Sequence, residues 1–197
     1  MDLPDPPRSS AGRNWIDLVV AFSVILISIT SLIIALRQSK VMEQQLSASV
    51  WPYLQFGTSN QNDAGAAVIT LDLENAGTGP ALLHSLTLLY DGKPLRNAQA
   101  LLDACCKDLE PQGHANWTVS TVHDQVMAAN RSVHFLSLEP TPGNERYWQR
   151  LNVERNKLVL KVCFCSVLNQ CWMLDSRRTE REAIQSCAGP QATDYDG

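Results

Sequence analysis

Val68-Ile69-Thr70-Leu71-Asp72-Leu73-Glu74-Asn75 places Ile69, Leu71 and Leu73 on one side of an extended chain and Thr70, Asp72 and Glu74 on the other. Successive strand side chains point to opposite faces, so this alternation predicts a half-buried β-strand. Next comes Asn75-Ala76-Gly77-Thr78-Gly79-Pro80-Ala81. It reads as a loop, with two glycines free to take positive φ and a proline fixing the exit. A second strand, Leu82 to Tyr90, runs into Asp91-Gly92, a strong short hairpin signal, and on to Lys93-Pro94-Leu95.

The same reading extends outward. Upstream, Tyr53-Leu54-Gln55-Phe56 is a short strand candidate and 60–65 is turn-rich. Downstream, Ala98, Leu101, Leu102 and Cys105 have helical spacing, which predicts a short helix within 97–109. Strands are expected at 117–122 and 132–138, the latter with Val133, Phe135 and Leu138 facing in. Glu139-Pro140-Thr141-Pro142-Gly143 breaks the chain, and 144–152 reads as a helical turn. Residues 157–168 alternate again, setting Leu158, Leu160 and Val162 against Val159, Lys161 and Cys163. Asn169-Gln170 then turns the chain back into Cys171-Trp172-Met173-Leu174. From Ser176 the sequence is polar, and 176–197 is expected to be a frayed helix followed by a disordered tail. Several short strands joined by turn-rich loops predict a mainly-β domain over 51–175, an antiparallel sandwich of immunoglobulin-like type. The alternative is an α+β domain whose helices pack on one face of a single sheet.

Ahead of this domain lies a different solvent. From Trp15 to Leu36 the chain reads WIDLVVAFSVILISITSLIIAL, with Asp17 its one charge. As a helix this run would be roughly 33 Å long, matching a hydrocarbon core about 30 Å thick. It predicts a transmembrane helix over 15–36 behind an N-terminal tail of 1–14, with the lipid bilayer as its first partner. Leu36-Arg37-Gln38 makes a poor cleavage site, so an uncleaved signal anchor is expected. Ala21, Ser28, Ser31 and Ala35 line one small-residue face, a candidate homodimer seam, although Ser and Thr in spanning helices also bond back to their own backbone. Residues 37–50 contain neither Gly nor Pro and read as a helical juxtamembrane stalk, with Val41, Met42, Gln45 and Leu46 on one side. Trp51-Pro52 ends it.

The 197-residue chain has a mean hydropathy of -0.13, an average of an apolar anchor and a hydrophilic remainder. Its net charge is -4, and beyond the anchor 14 basic residues stand against 17 acidic ones. That balance supplies no cationic footprint for nucleic acid. Arg8 and Arg13 before the helix nearly balance Arg37 and Lys40 after it, so the charge rule leans only slightly towards an internal N-terminus.

Six cysteines, Cys105, Cys106, Cys163, Cys165, Cys171 and Cys187, suit disulfides in an oxidising compartment. Cys163 and Cys165 share a strand face, and a hairpin around Leu168 brings Cys171 opposite Cys165. Adjacent Cys105 and Cys106 would strain the peptide by bridging each other, so at least one is expected to reach a distant partner. The competing reading is a thiol-dependent redox or metal site using Cys163, Cys165 and Cys171. C-x-C-x5-C is not a usual zinc knuckle, however, and His114 and His123 lack paired ligand spacing. His84 and His134 read as surface or satisfied core residues. His123-Asp124 could be two parts of a triad, yet no activated serine accompanies it. No hydrolase elbow, phosphate loop or H-E-x-x-H helix occurs, so neither catalysis nor a cofactor is expected.

Taken in order, the spanning helix, the stalk, Trp51-Pro52-Tyr53-Leu54, Asn75 to Ala81, Cys163-Phe164-Cys165-Ser166-Val167 and Cys171-Trp172 resemble a group of uncharacterised bacterial single-pass membrane proteins. The resemblance implies a bacterial inner membrane and brings no activity or catalytic residue. It also makes the sequons at Asn116 and Asn130 silent. The expectation is a membrane-anchored, non-catalytic binding or accessory protein with a periplasmic C-terminal domain. A cytosol-facing adaptor is the topological alternative.

Overall fold

An uninterrupted helix, α1 (Ala11–Ser49), takes in the whole apolar run and the stretch after it. The computed structural model describes residues 11–109, 117–122, 124–189 and 193–196. Every large apolar side chain between Trp15 and Leu36 is exposed, and the helix is long and apolar enough to cross a membrane. Three of its hydroxyls are satisfied internally: Ser23, Ser28 and Thr30 donate to the carbonyls of Val19, Val24 and Leu26 at 2.7–2.8 Å. Such back-bonding removes the need for water in hydrocarbon. Ser28, a member of the small-residue face, is therefore satisfied by its own helix.

The helix up to Leu46 is one unit, and residues from Ser47 onward form a second. The second unit contains β1 (Leu54–Gln61), β2 (Ala67–Asn75), β3 (Ala81–Tyr90), β4 (Lys93–Leu95), α2 (Ala98–Cys105), β5 (Trp117–Val119), β6 (Val126–Met127), β7 (Arg131–Leu138), α3 (Glu145–Glu154), β8 (Leu158–Cys165), β9 (Cys171–Asp175) and β10 (Glu182–Ile184). One sheet has the order β1-β2-β7-β5. The other runs β10-β9-β8-β3-β4, with β6 also on β3. Among the described residues all pairings are antiparallel. Two sheets stand where the α+β alternative expected one. Leu71, Phe135 and Leu136 from the first share a single core with Leu86, Val162 and Phe164 from the second.

Local chemistry explains most of these elements. In β2, Ile69, Leu71 and Leu73 are buried, as their alternation predicts. Asp91 and Gly92 both take positive φ, 47° and 78°, which a two-residue hairpin requires, and they pair Tyr90 with Lys93. Asn97 caps α2, its side chain accepting from the Ala100 N–H at 2.9 Å. The helix buries Ala98, Leu101, Leu102 and Cys105. In β7 a register irregularity against Leu71 and Asp72 places Phe135 and Leu136 inward together. Val133, Phe135 and Leu138 face in as expected, Val133 half-buried against the core, and the irregularity adds Leu136 to them.

The C-terminal segment departs from the expected polar tail. Residues 176–197 include β10, the half-buried Cys187 and a fully enclosed Tyr195. Tyr195 donates its backbone N–H to Leu86 at 2.8 Å and meets Phe135 edge-on at 5.9 Å. Its side chain makes this segment part of the core, despite the polar residues on either side. Burial pushes the Tyr195 hydroxyl up, and that hydroxyl has no partner among the described residues.

Two carboxylates and a phenol tie β3, α3 and β9 to pH. Glu154 accepts from Lys157 at 2.7 Å and from the Tyr90 hydroxyl at 2.5 Å. Those contacts, Lys157 first, hold its carboxyl below the ordinary range. Tyr90 is pushed up to about 12, chiefly by its hydrogen bond to Glu154 and then by burial. Asp175, gripped by Arg177 at 2.5 and 2.9 Å, is lowered to about 2. The depressed carboxylates stabilise the fold fully above their unfolded values, and this contribution is lost as pH falls through their folded ones. Tyr90 acts in the opposite sense: its contribution is complete below pH 10.0 and is lost as pH rises from there towards about 12. Urea midpoints measured across pH are expected to fall at both ends. Tyr90→Phe should make the alkaline decline that begins near pH 10 shallower, leaving the share contributed by the buried Tyr195 hydroxyl, and an unchanged alkaline limb would contradict this assignment.

Candidate functional site

The densest chemistry lies on the outer face of the six-stranded sheet. Cys163 and Cys165 are two residues apart on β8, so both turn outward while Phe164 enters the core. Cys171 pairs opposite Cys165 across the β8–β9 hairpin, with their Cα atoms 4.0 Å apart, and the two are disulfide-bonded. Cys187, beyond β10, bonds to Cys163 across a sequence separation of 24. This bond straps the segment after β10 to the centre of the sheet. The two disulfides nearly touch, with the Sγ atoms of Cys165 and Cys187 3.7 Å apart.

His84 completes the cluster. On β3, Leu83 pairs with Phe164 and Ser85 with Cys163, so His84 is an extra residue at a bulge. A ring nitrogen of His84 and the sulfurs of Cys165 and Cys187 all lie within 4.8 Å of one another. The hairpin placed Cys165 and Cys171 together from spacing alone. His84 and Cys187 could not be found that way, because a bulge positions one and a long return of the chain positions the other.

Cys105 and Cys106 form the third disulfide, correcting the expectation that one of them needs a distant partner. Helix α2 ends at Cys105 and Cys106 leaves helical geometry with φ -131° and ψ 21°, so the backbone bend at the helix end lets adjacent side chains meet. Cys106 also lines a cavity of about 490 Å³ between α2 and α3, together with Gln99, Leu102, Asp103, Lys107 and Tyr147.

The histidine expectations divide. His114, His123 and Asn116 lie outside the described residues, and with His123 the histidine of the His123-Asp124 pair. His134 is exposed on β7 and meets the Asp72 carboxylate. The Thr70 hydroxyl donates to Asp72 at 3.2 Å, and Ser59 lies 2.9 Å from Thr70. These hydroxyls bond each other and the carboxylate rather than the imidazole, an order unlike that of a nucleophile activated by its base.

A second built feature joins the domain to the chain leaving α1. Asn75 is fully buried, and its Oδ1 accepts from the backbone N–H groups of Tyr53 and Gly77, each at 3.1 Å. Its Nδ2 donates to the carbonyls of Gly79 at 2.9 Å and Met127 at 3.2 Å. The loop after Asn75 grips residues 48–53: Thr78 donates its hydroxyl to Ala48 O at 2.9 Å and its N–H to Trp51 O at 2.9 Å. Gly79 must be glycine for space, because a Cβ there would stand 2.0 Å from the Val50 carbonyl oxygen. The Asn-Ala-Gly-Thr-Gly-Pro motif is thus a backbone socket for the connector, which is more than the flexible turn its glycines suggested.

No protein-family model matches the chain, and comparison with curated proteins and with solved structures finds no similar protein.

Proposed function

We propose that the chain is a single-pass bacterial inner-membrane protein that presents an immunoglobulin-like domain to the periplasm and acts by binding a protein partner, without catalysis. The observation that carries this reading is the pairing of all six cysteines within a domain that follows an apolar helix. Disulfides persist on the oxidising side of a bacterial inner membrane and are rare in its cytosol. The strand order supports the immunoglobulin-like assignment. β1-β2-β7-β5 corresponds to strands A, B, E and D of that sandwich, and β9-β8-β3 to G, F and C. The socket around Asn75 fits a presenting role because it fastens the connector to the domain through main-chain hydrogen bonds. Between α2 and α3 the cavity offers a recess with an apolar floor and polar rim, suited to a partner's side chain.

Photo-crosslinkers placed at Gln99 and Lys107 in native membranes test this reading against one at Gln55, an exposed position on β1. A discrete adduct from the α2 positions and none from Gln55 is the expected result. The absence of adducts from every position, or a domain reached by impermeant reagents only after the inner membrane is opened, would contradict it.

A further inference from the structure

We infer that the cluster of His84, Cys165 and Cys187 becomes a zinc site when its two disulfides are reduced, with a fourth thiolate from Cys163 or Cys171. The inference does not rest on the binding role proposed above. It begins from a distance that two unrelated disulfides have no covalent reason to adopt, the 3.7 Å between the sulfurs of Cys165 and Cys187. Two thiolates bound tetrahedrally at about 2.3 Å from Zn²⁺ stand about 3.8 Å apart. The ring nitrogen of His84 supplies a third corner within 4.8 Å of both sulfurs. The ligands come from three places that the fold converges: a bulge in β3, the neighbouring strand β8 and the strap after β10.

The surroundings suit the metal. Cys163, Cys165 and Cys171 are all buried and Cys187 is half-buried, so a closed set of sulfur and nitrogen donors results, the donor chemistry of structural zinc. His84 and Cys165 sit on adjacent, hydrogen-bonded strands and are held in place. Cys187 lies on the strap after β10, outside the hydrogen-bonded strands. Zinc would then fasten the strap to β8 after the Cys163–Cys187 bond has gone.

The chemistry balances with a dithiol as reductant. Each dithiol gives two electrons and two protons to one disulfide and closes to its own disulfide, so two dithiols convert the pair into four cysteine thiols. Zinc then displaces the protons of three thiols, while neutral His84 contributes a nitrogen lone pair, and three protons leave for solvent.

The test uses the full chain in detergent, reduced with a water-soluble phosphine. The phosphine takes its oxygen from water, delivers two electrons and two protons to each disulfide, and leaves no competing thiol. Titration with Zn²⁺ against a chromogenic chelator is expected to show one ion per reduced chain and none per oxidised chain. Co²⁺ in its place should give the intense visible bands of a tetrahedral thiolate site. His84→Ala removes no cysteine, so its oxidised form reports on folding separately. In the reduced form it should weaken zinc by more than about tenfold, a loss that even second-shell changes reach, and should shift the cobalt bands. Cys105→Ser with Cys106→Ser should leave both readouts unchanged. The inference is overturned if the reduced chain binds no zinc, if His84→Ala alters neither affinity nor spectrum, or if binding disappears with Cys105 and Cys106.

Discussion

Replacing Asn75 with alanine is expected to destabilise the domain by about 3–5 kcal/mol, a large part of the 5–15 kcal/mol typical of a folded domain. One side chain serves three separate stretches of backbone: Tyr53 in the connector, Gly77 and Gly79 in the loop, and Met127 at β6. Asn75 is fully buried, so water cannot readily replace the amide once it is gone. Each buried group left without a partner costs about 1–3 kcal/mol, and the N–H groups of Tyr53 and Gly77 lose their shared acceptor together. Asn75→Asp separates the contributions, because it keeps an acceptor for those N–H groups but removes both donors and buries a charge. It is expected to be no more stable than Asn75→Ala. Urea unfolding of the full chain in mild detergent, followed by tryptophan fluorescence, measures both variants. A loss below about 1 kcal/mol for Asn75→Ala, the size of an ordinary net hydrogen bond, would show that the hub is not structural.

Changing Cys163 and Cys187 together to serine is expected to cost about 3.5 kcal/mol, the chain-entropy value for a closed loop of about 25 residues. The paired change avoids leaving a lone thiol free to attack the Cys165–Cys171 bond nearby. Because the strap follows β10 and is held to β8 by this bond, protease should cut near residues 185–189 in the variant and spare them in the parent. Cys105→Ser with Cys106→Ser is the natural comparison. It closes essentially no loop between neighbours, so its effect on stability should be far smaller. Equal losses in the two double variants would contradict the assignment of the strap as the stabilising element.

What could be read from the residues was local. The alternation in Val68 to Asn75, the Asp91-Gly92 hairpin and the helical spacing of Ala98, Leu101, Leu102 and Cys105 each reflect a period or a turn conformation carried by adjacent residues. The Cys165–Cys171 contact was legible for the same reason, since a short hairpin determines which residues face each other. The illegible features depend on distant chain. Phe135 and Leu136 point inward together because β7 slips past β2, and no pattern within 131–138 announces that. Tyr195 lies in a polar segment and is buried by the cavity it fills between elements far away in sequence. His84 offered no metal-ligand spacing, and its place beside two sulfurs follows from a bulge and from the return of Cys187 across the sheet. The loop at Asn75 shows a middle case: its glycines were evident, but their reason is the backbone of Val50 and Trp51 passing close by, which only the fold supplies.

Cysteine pairing in the native membrane is the most direct test of the proposed membrane-tethered domain locked by three disulfides. Thiols would be blocked in intact cells with a permeant alkylating reagent before lysis, and the unreduced chain digested and mapped by mass spectrometry. Cys105–Cys106, Cys163–Cys187 and Cys165–Cys171 are expected in the membrane fraction, with no alkylated cysteine. Alkylation of Cys163, Cys165, Cys171 and Cys187 in that fraction would contradict the proposal.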